Sequence, residues 1–168
     1  MYKHETEMKF LCDEMYKGLA RKLRTAGYDV EMEPDGTRDR QLIQRAMQEG
    51  RLLLTRDGTL LEIRDAKQVV VLLESDGLEA CAREVTNKLC VNWLLNPFSR
   101  CSLCNTPLME TERPQDFPPD VSEAFICPTC EKYYWRGGHV ERMRRRLEQW
   151  QAEFHSSQAI GELQDSSA

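Results

Sequence analysis

Two cysteine pairs constrain this chain more than any other feature. Cys101-x-x-Cys104 and Cys127-x-x-Cys130 are separated by 22 residues. Two residues between cysteines let both thiolates of a tight turn face one point. Two such turns complete a tetrahedral sulfur cage, which suits zinc. Four protein ligands leave no open position, so a site of this kind is structural rather than catalytic. The competing reading is two redox dithiols or unrelated thiols. The intervening segment favours the cage, because it holds Pro107, Pro114, Pro118, Pro119 and Pro128 and too few apolar residues to fold without a staple. Zinc knuckles often carry glycine just after the second cysteine. Asn105 and Glu131 stand there instead, and asparagine tolerates the left-handed backbone better than glutamate does. Seven cysteines cannot all pair, so metal binding in a reducing, cytoplasmic setting is expected rather than a disulfide framework. Cys12, Cys81 and Cys90 fall on apolar faces and read as buried packing residues.

Upstream of the cysteines, short apolar runs alternate with helix-like segments. Phe10-Leu11-Cys12 is a brief apolar run. Met15, Leu19, Leu23 and Ala26 follow at helical spacing, closed by Gly27. Tyr28 to Met32 alternates apolar and acidic residues, as a strand with one wet face does. Thr37 is expected to cap a helix striped by Leu42, Ile43, Ala46 and Met47. Leu52 to Thr55 reads as a strand, and a helix carrying Leu60, Leu61 and Ile63 is expected after it. Val69 to Leu73 is an unbroken run, expected to be a strand buried on both faces. Leu78, Cys81, Ala82, Val85, Leu89 and Trp93 line a further helix. Strand and helix alternate four times, which predicts an α/β fold with a parallel sheet and helices on its faces.

The chain divides accordingly into a domain over 8–96, a ribbon over 97–138, a helix over 139–154 and a flexible polar tail over 155–168. At 168 residues, 40% apolar and 30% charged, a folded core is feasible. No apolar run is long enough to span a membrane, and Met1 to Lys9 lacks the apolar stretch of a secretory signal. The net charge of −5 excludes a globally basic coat for nucleic acid, though not a local patch.

The acidic residues carry the expected chemistry. Ligands of a parallel α/β sheet collect beyond the carboxyl ends of its strands. Asp13 follows the first strand directly, Asp35 and Asp39 follow the second, Asp57 the third and Asp76 the fourth. Gathered carboxylates repel unless cations sit between them, and their hard oxygens suit magnesium or manganese. Each aspartate taken singly has a second reading as a helix cap or turn former. Capping does not by itself require an aspartate at all four junctions.

Several stretches together resemble the Mut-seven C-terminal RNase domain family, a group of PIN-like nucleases. They are Phe10-Leu-Cys-Asp-Glu-Met15, Gly18-Leu-Ala-Arg21 and Leu23-Arg24 through Gly27-Tyr28-Asp29, then Asp39 with Leu42-Ile43, and Gly50-Arg-Leu-Leu-Leu-Thr-Arg-Asp57. Ser99-Arg-Cys-Ser-Leu-Cys-Asn105 and Cys127-Pro-Thr-Cys130 follow, with Tyr134-Trp135, Gly138-His139 and Glu141-Arg142-Met143. The resemblance spans about residues 8 to 143. It implies a three-layer PIN-like domain with a zinc ribbon and a C-terminal helix behind it. It also implies a divalent metal at Asp13, Asp39 and Asp57, with Asp76 chosen as a fourth acid. The expected activity is a metal-dependent endoribonuclease that uses magnesium or manganese, with structural zinc on Cys101, Cys104, Cys127 and Cys130. RNA, single-stranded or structured, is the expected partner, and a regulatory protein is a further one. The alternative is a catalytically weak or inactive RNA- or protein-binding module of the same fold.

Other residues carry two readings each. His139 is a phosphate or metal contact, or a structural hydrogen bonder. Arg142, Arg144, Arg145 and Arg146 are a phosphate cluster, or a solvated helix face. Tyr133, Tyr134 and Trp135 are a stacking platform, or cover for the zinc. Arg21, Arg24 and Arg56 lie near the acidic edge as candidate RNA-backbone contacts. His4 and His155 fall in the expected frayed ends.

Overall fold

The computed structural model describes residues 8–165, so His4 lies outside the described residues. Four strands form one parallel sheet: β1 (Lys9–Cys12), β2 (Asp29–Met32), β3 (Leu52–Thr55) and β4 (Val70–Leu72), in the spatial order β2-β1-β3-β4. Three α-helices accompany it: α1 (Lys17–Ala26), α2 (Asp39–Glu49) and α3 (Leu78–Leu89). From β1 the chain moves outward to β2 and then returns past β1 to β3. Right-handed crossovers in opposite directions put α1 and α2 on opposite faces. The core accordingly splits in two. One cluster holds Phe10, Leu23, Val85 and Trp93 with the α1 and α3 face. The other holds Leu11, Leu42, Ile43, Leu53 and Leu60 beneath α2. Alternation along β1 supplies both, since neighbouring strand residues point to opposite faces.

A second sheet of three antiparallel strands follows: β5 (Met109–Thr111), β6 (Ala124–Ile126) and β7 (Tyr133–Trp135). The long helix α4 (Gly138–Asp165) then returns to the first domain. Leu147, Trp150 and Phe154 are fully buried against it, with the Trp150 ring edge-on to Trp93 at 4.7 Å. Among the described residues no helix is long and apolar enough to cross a membrane.

Several local expectations are corrected. Val69 to Leu73 is not a strand buried on both faces: β4 is an edge strand and its three residues are half-buried. Lys88 covers that edge by donating to the Leu72 carbonyl at 2.6 Å, a charged guard of the kind exposed edges need. Cys90 is exposed, not packed, because it ends α3 in the left-handed conformation at φ 53°. Thr37 does not cap α2. Its hydroxyl donates to the Pro34 carbonyl, and Arg38 occupies the cap position. The segment after β3 is a 3-10 turn over Gly58–Glu62 rather than an α-helix. α4 runs on to Asp165, through most of the stretch read as a polar tail from 155.

Gly27 fixes how the two parts meet. It ends α1 at φ 108°, and a Cβ there would lie 2.6 Å from the Asn96 carbonyl oxygen. That close approach lets the Asn96 and Phe98 amides donate to the last carbonyls of α1, Ala26 and Thr25.

Candidate functional site

The strand order places a topological switch between β1 and β3, where chain connections leave in opposite directions. Crevices at such points are where open α/β sheets bind ligands. Asp13 leaves β1 and Asp57 lies two residues beyond β3, so both stand at this point. The Asp13 amide donates to the Leu54 carbonyl at 3.2 Å, which pins the start of its loop to the neighbouring strand. Thr55, 1% exposed, joins the two acids. Its hydroxyl donates to Asp13 Oδ2 at 3.5 Å and accepts from the Asp57 amide at 3.1 Å.

The capping reading is also present. Asp13 accepts from the Met15 amide at 3.4 Å, and Asp57 accepts from the Thr59 amide at 2.9 Å and its hydroxyl at 2.6 Å. Those Thr59 bonds, hydroxyl first, hold the Asp57 carboxyl below the usual carboxylate range, so it stays ionised. Among the described residues neither Asp13 nor Asp57 forms an ion pair. Two carboxylates at one switch point without a basic partner are a donor set that fits a hard divalent cation.

The other acids stand further out. Asp39 is exposed at the start of α2 and lines a shallow cleft with Thr59, the residue that holds Asp57. Asp76 has a side chain 91% exposed and lies 3.8 Å from Arg56. The four aspartates are not drawn into one tight cluster: among the described residues only the four cysteines place all their ligand atoms within 4.8 Å of one another. Three nearby residues were given no role from the sequence. Thr55 and Thr59 carry the hydrogen bonds just described. Glu14 faces Asp35, and the hydrogen bond between these carboxyls, followed by their charge repulsion, raises the Glu14 pKa. The one sequence signal for Thr55 was a polar residue ending an otherwise apolar strand.

The cysteine cluster is built as its spacing requires. Cys101 and Cys130 sulfurs lie 4.0 Å apart, and those of Cys104 and Cys127 3.4 Å. Sulfurs around a tetrahedral zinc are about 3.8 Å apart, from Zn–S bonds of about 2.3 Å. Each pair sits in a knuckle: the Asn105 amide donates to the Cys101 carbonyl and the Glu131 amide to the Cys127 carbonyl. Both knuckle residues adopt the left-handed conformation, Asn105 at φ 72° and Glu131 at φ 56°. The Cys130 thiol is pushed up to about 12, first by its hydrogen bond to Cys104 and then by burial. Four crowded sulfurs resist carrying four negative charges without a cation. The cluster could bind zinc and is consistent with a zinc ribbon.

Asn105 also ties the ribbon to the first domain. It is 5% exposed, and its Oδ1 accepts from the Val30 amide at 2.9 Å. Its Nδ2 donates to Asp29 at 2.7 Å and Glu31 at 2.9 Å. Arg24 donates to the Val30 carbonyl and to the Ser102 and Leu103 carbonyls of the first knuckle. Tyr134 reaches within 3.0 Å of the Cys101 sulfur, as a cover for the cage.

The sequence profile of the Mut7-C RNAse domain matches residues 8–147. The chain belongs to this family. The match takes in the sheet, the switch point, the ribbon and the first turns of α4, so the membership covers both candidate sites. A nuclease-like function follows at the level of the family, with RNA as the substrate class. No curated protein and no solved structure matches the chain.

Proposed function

We propose that this protein is a divalent-metal-dependent endoribonuclease whose site is the switch point between β1 and β3. The observation that carries the reading is the pair Asp13 and Asp57, bridged by the buried Thr55 and free of basic partners among the described residues. Asp13, Asp57 and, from the α2 side, Asp39 would hold magnesium or manganese, and Asp76, in the loop between β4 and α3, would be the fourth acid. When bound, the ion supplies activation of water and neutralisation of charge on the leaving oxygen. Thr55 fixes the spacing of the two acids by holding one through its carboxylate and the other through its amide. Thr59 keeps Asp57 ionised and so ready to bind a cation. Arg56, beside Asp76, is placed to meet the phosphate backbone.

Structural zinc on Cys101, Cys104, Cys127 and Cys130 completes the reading. Its role is to fold the ribbon and, through Asn105, to brace the edge strand β2. The test is cleavage of a labelled RNA with manganese by the parent chain, Asp13→Asn and Asp57→Asn. Cleavage by the parent and a loss of at least a hundredfold in each variant is expected. Full activity in both variants refutes the site.

A further inference from the structure

A cavity of about 260 Å³ lies where the ribbon, the end of α1 and the first turns of α4 meet. Its chemistry differs from that of the acidic edge. Arg100, Arg136, His139 and Arg144 line it beside Phe98 and Trp135, against a single acid, Glu123. Arg144 lies over the Phe98 ring at 5.1 Å, and its buried Nε has no hydrogen-bond partner. Among the described residues neither Arg136 nor Arg144 forms an ion pair, whereas Arg146 on the same helix is taken up by Glu79 at 3.2 Å. Trp135 is 38% exposed, packed on Phe117 at 4.6 Å. Unpaired guanidinium groups beside an exposed aromatic ring are the means by which proteins hold single strands: cations on phosphates, rings on bases. The volume suits one base; drug-sized pockets run to about 300–1,000 Å³.

We propose that this cavity is a second contact site for single-stranded RNA, taking one base against Trp135 and a phosphate on Arg136 and Arg144. It rests on the ribonuclease reading for its choice of polymer. Thr25 in the last turn of α1 lines the cavity, while Asp13 precedes the first turn. The two sites are therefore separated by about 15 Å of helix. A strand a few nucleotides long reaches both; a dinucleotide does not. His139 lines the same cavity and belongs to this contact rather than to the acidic site.

The test uses the zinc-loaded full chain carrying Asp13→Asn to prevent cleavage, and fluorescein-labelled rU12 as the probe. Anisotropy gives affinity across a salt series. Tryptophan quenching reports the ring, because Trp93 and Trp150 are fully buried and Trp135 is not. Arg136→Glu is expected to weaken rU12 binding at least tenfold. The pair Arg136→Ala with Arg144→Ala is expected to lower the salt slope by about 0.7, the value for the one phosphate contact they share on a single strand. Arg136 is exposed, so Arg136→Glu decides the matter even if changes at Arg144 disturb folding. Affinity within twofold of the parent in Arg136→Glu overturns the proposal. So does equal competition by polyglutamate of matched charge, which would make the cavity a general anion site. With Asp13 restored, manganese-dependent cleavage of the dinucleotide UpU should be unchanged by Arg136→Glu. Failure of the restored chain to cut any RNA counts against the ribonuclease reading alone, since the binding comparison does not depend on cleavage.

Discussion

Replacing Asn105 with alanine tests whether the ribbon braces the nuclease-like domain or merely follows it. The side chain makes three bonds to β2: one from the Val30 amide and one each to Asp29 and Glu31. Losing the acceptor leaves a buried Val30 amide without a partner, at about 1–3 kcal/mol. The two lost donors cost less, because Asp29 keeps Arg51 at 2.8 Å and Glu31 is half-exposed. Alanine at φ 72° adds about 1 kcal/mol that asparagine tolerates. The expected loss is about 2–4 kcal/mol. With a urea slope of about 2 kcal/mol per molar, the midpoint falls by about 1–2 M. Urea unfolding at confirmed zinc content is the assay, with hydrogen exchange at the Val30 amide as a local readout. Asn105→Asp keeps the acceptor but sets a third carboxylate against Asp29 and Glu31, so it should be no better than alanine. A midpoint change below 0.3 M in Asn105→Ala, with Val30 still protected, would refute the bracing argument.

Two more predictions concern single side chains. Glu84 accepts from the amides of Glu74 and Ser75 and from Lys88; burial opposes its charge, but these bonds prevail and hold its pKa down at about 2 against an ordinary 4.5. Its stabilisation is therefore complete above about pH 4.5 and lost as pH falls through about 2, so Glu84→Gln should flatten the acid limb of the stability curve in that window. Thr55→Val removes the hydroxyl between Asp13 and Asp57; we expect at least a tenfold fall in manganese-dependent cleavage and a loss of about 1 kcal/mol in stability, read by activity and thermal melts.

Much of this fold was legible because its signals are local. The alternation of strands and helices gave four parallel strands and an acid at or near each carboxyl end. The cysteine spacing gave the cage. Properties set by tertiary neighbours were not legible. An apolar run such as Val69 to Leu73 looks the same at the centre of a sheet and at its edge, and only the strand order shows that β4 is outermost. Cys90 read as a packing residue on an apolar face, yet it is the exposed residue at which α3 ends. Asn105 read as a residue tolerated at a knuckle; its bonds to Val30, Asp29 and Glu31 cross more than 70 positions of sequence. Thr55 carried no charge to draw notice, and its role appears only once β1 and β3 lie side by side. The arginines of α4, read as one cluster, divide by partner: Arg146 on Glu79, Arg144 on Phe98.

Manganese titration of the zinc-loaded protein, followed by the paramagnetic signal of the free ion, tests the central claim most directly. Binding at the switch point predicts manganese uptake by the parent chain that falls at least tenfold in affinity in Asp13→Asn and in Asp57→Asn, with zinc on the four cysteines unchanged. Equal manganese affinity in all three proteins would contradict it.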